Sequence, residues 1–150
     1  MFKRGMDSKG QLSVEYLFLL MIILVVFGFM ITHFIGPTID ASNDISDVSA
    51  ASNIVNSIAN EANVVYANGV SSQRTITMYI PQDNTNIVTG RNGTKGFVSM
   101  NVTLSNGTIK TVSAQTAYPL YSYTFTLSHG NKRAVVKWWV GDGAINEWMG

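Results

Sequence analysis

Residues 9–27 of the chain read KGQLSVEYLFLLMIILVVF, a stretch in which one carboxylate, Glu15, precedes a long apolar run. Every residue from Tyr16 to Ile31 is apolar or glycine, and the next charged residue after Glu15 is Asp40. With the apolar residues just beyond it, the run reaches about 20 residues. A helix of that length spans roughly 30 Å, the thickness of a bilayer's hydrocarbon core. The sequence therefore predicts a hydrophobic N-terminal helix over residues 11–37.

Basic residues flank this helix only on its N-terminal side, where Lys3, Arg4 and Lys9 outnumber the one acid, Asp7. Because positive charge is retained on the cytoplasmic side of a membrane, we expect everything after Gly36-Pro37 to lie outside the cell. The expected product is a single-pass membrane precursor with a cytoplasmic N-terminus.

The composition excludes several classes of site. The chain has 150 residues, with 46% hydrophobic, 13% charged, a formal net charge of +1 and no cysteine. Disulfides, thiol catalysis and Cys-based metal sites are therefore excluded, and no basic cluster is dense enough to suggest nucleic acid. Five carboxylates and no Lys or Arg lie between Gln11 and Gln73, whereas seven Lys and Arg residues and three carboxylates follow from Arg74 onward. This asymmetry is open to two interpretations: attraction between neighbouring copies, or an ordinary solvated surface.

Residues 38–68 are predicted to form an amphipathic helix. Apolar side chains recur there at spacings of three and four, at Ile45, Val48, Ala51, Val55, Ile58, Ala62 and Val65. The intervening Ser and Asn residues are mediocre helix formers, so packing must hold the helix. Pro37 either begins this helix or bends one continuous helix, and Asn68-Gly69 ends it.

Residues 69–150 are predicted to form an antiparallel β domain of four or five strands. Alternating apolar side chains indicate strands at 74–80, 97–105, 108–114 and 121–127, and through Ala134, Val136, Trp138 and Val140. Asn106-Gly107 is typical of a two-residue hairpin, and His129-Gly130-Asn131 turns the fourth strand into the last. The apolar stripe of the second helix is the nearest cover for one face of the sheet. The predicted class is α+β, a long helix followed by an antiparallel β domain in a lollipop arrangement.

The stretch KGQLSVE resembles the class III signal peptide of archaeal type IV pilin precursors, specifically the group whose processing site reads G-Q-x-S-x-E. Lys9, Gly10, Gln11, Ser13 and Glu15 match in register, and an apolar helix of suitable length follows. An ordinary secretory signal would instead carry its small-residue cleavage site after the apolar run.

The resemblance implies that a membrane-embedded prepilin peptidase cuts between Gly10 and Gln11 and removes residues 1–10 as a leader. Glu15 then becomes the fifth residue of the mature chain. Its carboxylate can meet the new α-amine of Gln11 on an adjacent copy, so that each offsets the desolvation of the other and one register is favoured. In the alternative interpretation, Glu15 merely lies in the headgroup zone of an ordinary signal anchor.

The function implied by the resemblance is that of a structural subunit of a type IV pilus-like surface filament, polymerised through its hydrophobic helix. Its partners would be other copies or related pilins, the peptidase, and a separate assembly platform and ATPase. The subunit would be stored in the membrane before assembly and be extracellular afterwards. The rival interpretation is a single-pass, membrane-anchored extracellular binding or adhesion module that does not polymerise.

No catalytic constellation is visible. His33 and His129 are the only histidines and are separated by most of the chain, and neither a phosphate loop nor a nucleophile elbow occurs. We expect no enzyme activity, metal or cofactor. Asn92, Asn101 and Asn106 are each followed by x-Thr and are candidate N-glycosylation sites. The resemblance favours such modification, because the pilins in question are commonly N-glycosylated.

Overall fold

The computed structural model describes residues 8–138 and 146–149, with side chains described from 13 to 138. The chain divides into two compact units, residues 1–42 and 43–150. A long N-terminal helix is followed by antiparallel β-sheets, which confirms the α+β class.

The first unit is helical throughout its described residues. Helix α1 (Ser8–Met30) continues through a π-helical turn (Ile31–Ile35) into α2 (Gly36–Asn68), whose first residues belong to this unit. Every large apolar side chain from Val14 to Ile39 is at least 47% exposed. Within the described part of the chain, this is the one helix that is long and apolar enough to cross a membrane.

Pro37 does not interrupt the helix. Proline has no N–H, so it cannot donate the bond that the carbonyl four residues earlier would accept. The backbone widens into the π turn just before it, where the Gly36 N–H donates to the Ile31 carbonyl. The Thr38 hydroxyl also donates to the Phe34 carbonyl at 2.6 Å. Of the two alternatives left open by the sequence, the described backbone shows one continuous helix.

The second unit is built around the remainder of α2. Seven α2 side chains are buried in one core with both sheets, namely Ala51, Ile54, Val55, Ile58, Ala59, Ala62 and Val65. Five of these were predicted from the three-and-four spacing. Val48 is partly buried against the core, whereas Ile45 is 72% exposed. The predicted stripe therefore holds from position 48 onward and fails at its first member.

The described residues of the β region form two sheets. The strands are β1 (Gln73–Ile80), β2 (Thr85–Asn92), β3 (Lys95–Thr103), β4 (Ile109–Thr116), β5 (Tyr123–Leu127), β6 (Gly130–Lys137) and β7 (Asn146–Met149). Their orders are β1-β6-β7 and β4-β3-β2-β5, and all pairs are antiparallel. The prediction of a single sheet with four or five strands is wrong.

Strand β2 was missed because its inner face is partly polar. Thr85 and Thr89 alternate with Ile87 on that face, and all three are buried. Their hydroxyls are satisfied locally: Thr85 donates to the Gln82 carbonyl and Thr89 to the Tyr121 carbonyl, both at 2.8 Å. A buried hydroxyl with a partner costs little, so threonine can occupy a core position that hydropathy assigns to a loop.

Two predicted turns differ from expectation. The hairpin at Asn106-Gly107 is confirmed, but its loop has three residues: the Gly107 N–H donates to the Leu104 carbonyl, and Leu104 itself pairs with Thr108. Gly107 supplies the left-handed residue of this loop at φ 81°. The turn at His129 does not form a hairpin, because β5 pairs with β2 whereas β6 pairs with β1. It carries the chain from one sheet to the other.

Carboxylates hold α2 to the β region. Asp44 accepts hydrogen bonds from the Ser105 N–H at 2.8 Å and the Ser105 hydroxyl at 2.9 Å. Asp47 accepts a hydrogen bond at 2.7 Å from the Gln82 amide, which also bonds both backbone groups of Thr103. These contacts fix the helix against the end of β3.

The buried face of α2 predicts a sharp difference between two isoleucines of one helix. Ile58 is fully buried, so Ile58→Ala should lower the free energy of unfolding by about 2–5 kcal/mol. Ile45→Ala should change it by no more than about 0.5 kcal/mol, since that side chain is 72% exposed. Denaturant unfolding of the full chain in detergent micelles, followed by tryptophan fluorescence, measures both. Equal losses would show that α2 is not held by this face.

Candidate functional site

The residues of the predicted signal motif lie on the first turns of α1. The helix begins at Ser8, so the backbone of Gly10 and Gln11 is already helical. The side chains of Ser13 and Glu15 are exposed. Ser13, Glu15 and the predicted cleavage point between Gly10 and Gln11 are therefore within two helical turns of one another. They directly precede the apolar run that starts at Tyr16.

Glu15 is the one charged side chain among residues 13–39. Asp40, the next carboxylate, lies 25 residues later in the sequence, or about 38 Å along a helix. No described side chain forms a hydrogen bond or an ion pair with Glu15. A carboxylate in this position is expensive to remove from water, so any apolar environment that covers the helix must also supply a cation or several donors.

The two threonine hydroxyls of the apolar helix are satisfied by the helix itself, and one ring nitrogen of its histidine also has a neighbour there. Thr32 donates to the Gly28 carbonyl at 3.0 Å, and Thr38 to the Phe34 carbonyl. The His33 ring stacks on Phe29 with centroids 4.1 Å apart, and its Nδ1 lies 3.0 Å from the Thr32 hydroxyl. The two hydroxyls can enter an apolar environment without an external partner, because they donate to helix carbonyls. Glu15 cannot.

The three candidate N-glycosylation sites, or sequons, occupy different positions in the four-stranded sheet and its loops. Asn92 is exposed at the last position of β2, next to the turn into β3. Asn101 is half-buried within β3, and its side-chain oxygen accepts a hydrogen bond from the Thr111 hydroxyl at 2.8 Å. Asn106 is exposed in the β3–β4 loop, where its side-chain oxygen accepts a hydrogen bond from the Thr108 N–H at 2.8 Å.

The turn after Asn92 is tight and lies outside the predicted strands and turns. Asn92 and Lys95 pair directly, so Gly93 and Thr94 form a two-residue loop. Gly93 has φ 65°, whereas Thr94 keeps a negative φ, the combination of a type II′ turn. Asn92-Gly93 is the same dipeptide signal that located the hairpin at Asn106-Gly107, and it could have located this one.

A cavity of about 130 Å³ lies beside this turn, lined by Asn92, Lys95, Gly96, Phe97 and Gln115. Strand alternation places all of these except Gly96 on the outer face of the sheet, because the inner face carries Val98 and Met100. The polar lining residues were not identified from sequence as a group, since they come from three strands.

The remaining candidates show no catalytic grouping. The Nε2 atom of His129 lies 2.7 Å from the Tyr79 hydroxyl on the second unit, whereas His33 belongs to the first. Within residues 8–138 and 146–149, no three His, Cys, Asp or Glu side chains are arranged to hold a metal ion. Val140, the last apolar position of the final predicted strand, lies outside the described residues.

Comparison with known proteins identifies one segment. Residues 8–34 match the family model of the class III signal peptide, the signal found at the start of type IV pilin-like precursors. The matched range covers Gly10, Gln11, Ser13 and Glu15 together with the apolar helix as far as the fourth residue of its π turn. No curated protein and no solved structure matches the chain. The similarity therefore concerns the signal and the helix, and the β region has no identified relative.

Proposed function

We propose that this chain, with its class III signal peptide, is the precursor of a structural subunit of an archaeal type IV pilus-like surface filament. A prepilin peptidase removes residues 1–10 by cutting between Gly10 and Gln11. The mature subunit remains in the membrane through its apolar helix until the assembly platform and its ATPase transfer it to the filament. There, helices of other copies or related pilins replace the lipid.

The observation that carries this proposal is an apolar helix that the described residues leave exposed and that contains one carboxylate without a partner among them. Every large apolar side chain from Val14 to Ile39 is exposed, far beyond the apolar patches that soluble monomers tolerate. Lipid or neighbouring helices could cover this surface equally well. Glu15 distinguishes the two, because a bundle of cleaved subunits supplies a cation at a fixed distance and lipid tails do not.

That cation is the α-amine of Gln11 on a neighbouring copy. Within one helix, Gln11 and Glu15 are four residues apart, on the same face and one turn apart. Displacing neighbouring helices by about one turn, roughly 5.4 Å, therefore brings the amine of one copy level with the carboxylate of the next. An ion pair of this kind contributes mainly by rewarding one register over the others.

The rival function is an anchored extracellular binding module that does not polymerise. The second unit has its own core, which such a module would also need. N-terminal sequencing of the chain from its native host separates the two. A mature N-terminus at Gln11 supports the filament subunit, whereas an intact leader supports the anchored module.

Glu15→Gln should leave the chain in the membrane and reduce its incorporation into filaments strongly. Removing one partner of a buried ion pair leaves the other charge uncompensated, at about 3–5 kcal/mol for each subunit contact. The measurement compares cleaved subunit in the membrane fraction with subunit in sheared filaments, at matched expression. Glu61→Gln is the control, because that carboxylate pairs with Arg74 on the second unit and is solvent-accessible. Wild-type filament yield from Glu15→Gln would show that the carboxylate is not a partner in assembly.

Gly10→Val should leave the precursor uncleaved, because a branched side chain next to the scissile carbonyl obstructs the approach of the peptidase. Immunoblotting would show one band at the precursor mass and none at the mature mass, which lacks ten residues. Gly28→Val is a matched control. A Cβ at position 28 meets no atom within 4 Å, and the position lies far beyond the proposed cut. Normal processing of Gly10→Val would place the cut elsewhere.

A further inference from the structure

Three asparagines of the chain are each followed directly by glycine, in the dipeptides Asn68-Gly69, Asn92-Gly93 and Asn106-Gly107. In such a dipeptide, the backbone nitrogen of the glycine can attack the side-chain carbonyl carbon of the asparagine. Glycine permits this attack because it has no Cβ to obstruct the approach and because its backbone adopts many conformations. Since the three dipeptides are identical, a difference in their reactivity must come from the structure around them.

Hydrogen bonds hold the attacking nitrogen in two of the three dipeptides. The Gly69 N–H donates to the Tyr66 carbonyl at 3.1 Å. The Gly107 N–H donates to the Leu104 carbonyl at 2.8 Å. Each of these nitrogens can react only after its hydrogen bond has been broken, which lowers the fraction of molecules that are ready to react.

The Gly93 N–H is not held in this way. The pair that closes the two-residue turn joins Asn92 to Lys95, and it leaves the N–H of the first turn residue outside the ladder. No described residue accepts a hydrogen bond from the Gly93 N–H, and none bonds the exposed side chain of Asn92. By contrast, the Asn106 side-chain oxygen accepts a hydrogen bond from the Thr108 N–H at 2.8 Å. Both reacting groups are therefore unrestrained only at the β2–β3 turn.

Steric access does not separate the three dipeptides, because a Cβ at any of the three glycines would meet no atom within 4 Å. The cost of local opening does separate them. The ring that forms requires an asparagine backbone that is neither extended nor helical, so each dipeptide must open before it reacts. At Asn92, only the last pair of an exposed hairpin has to open, and such ends open at little cost.

We propose that Asn92 is a site of spontaneous deamidation wherever its amide is unmodified, and that it reacts ahead of Asn68 and Asn106. The Gly93 nitrogen bonds to the Asn92 Cγ atom and loses its proton, and the side-chain amide leaves with a proton as ammonia. The resulting succinimide ring then takes up water. Opening of the ring at Cγ yields aspartate, whereas opening at the α-carbonyl yields isoaspartate, in which the main chain runs through the side chain.

The reaction changes both the charge and the shape of an exposed hairpin tip. Arg91 and Lys95 are exposed on either side of the turn. Either product places a carboxylate beside these two cations. Isoaspartate also adds a carbon atom to the backbone, so the direct pairing of position 92 with Lys95 is lost. An aged chain would therefore differ from a new one at this surface and retain its core.

The first experiment compares the three dipeptides within one folded chain. Full-length chain is produced in a host that does not N-glycosylate, because a glycan would occupy the same amide. It is incubated in detergent micelles in mildly alkaline buffer, and peptides are analysed by mass spectrometry over time. Asn92 should be converted roughly five- to tenfold faster than Asn68 or Asn106, the factor that a single hydrogen bond supplies. Equal rates, or faster conversion at either of the other two, would overturn the proposal.

The matched control is the same chain unfolded in denaturant. There the three dipeptides should be converted at similar rates, because the hydrogen bonds of Gly69 and Gly107 are lost. If Asn92 kept its full advantage in the unfolded chain, the flanking sequence and not the turn would select it, and the structural assignment would be wrong. Asn92→Gln should abolish conversion at this position and leave the other two rates unchanged.

Hydrogen exchange tests the premise without the reaction. The Gly93 amide hydrogen should exchange with solvent faster than those of Gly69 and Gly107 in the folded chain, measured at single residues by NMR in the same micelles. All three follow asparagine, so their exchange rates in an unfolded chain are similar and the comparison is direct. Protection of Gly93 equal to that of Gly107 would contradict the assignment.

Discussion

The rest of the molecule depends on one constraint: the apolar side chains from Val14 to Ile39 find no cover in the described part of their own chain. The hydrophobic effect therefore acts between this helix and its surroundings and contributes nothing to the folding of the unit itself. Backbone hydrogen bonds are satisfied within the helix, and so are the hydroxyls of Thr32 and Thr38. The surface is thus equally compatible with lipid and with other helices. An element that accepts either environment suits a subunit that must pass from one to the other.

The second unit differs from the first, because its apolar side chains are buried in its own core, as stability in water requires. Its part of α2 buries apolar side chains on one face, and its three carboxylates all have partners on its own β strands or loops: Asp44 with Ser105, Asp47 with Gln82 and Glu61 with Arg74. Of these contacts, only Glu61 with Arg74 pairs a carboxylate of the acidic first half of the sequence with a cation of its basic second half.

The sequence predicted well wherever a side chain's polarity matched its burial. The apolar helix, the stripe from Val48 to Val65 and the inner faces of β1 and β3 follow simple spacing rules, and the structure agrees. Failures occur where a local bond changes the cost of burial. Thr85 and Thr89 can be buried because nearby carbonyls accept hydrogen bonds from their hydroxyls. The polar residues on this face are the reason that hydropathy did not predict β2. The division into two sheets was not predictable from turns, because a turn specifies a reversal and not which strand will pair. The cavity at Asn92 depends on that pairing and was hidden for the same reason.

The π turn before Pro37 has a mechanical consequence. A helix bears tension along its axis through its hydrogen bonds, and a proline would normally leave a gap where the chain yields first. Here the Gly36 N–H reaches back to Ile31, and the bonding continues on both sides of the proline. The helix thus runs from Ser8 to Asn68 with a change of hydrogen-bond register at the π turn and without the one bond that Pro37 cannot donate. A pull along the helix axis near Pro37 is therefore carried by the bonds on either side of the proline, so this part of the helix should yield less readily than one with an unrepaired proline gap.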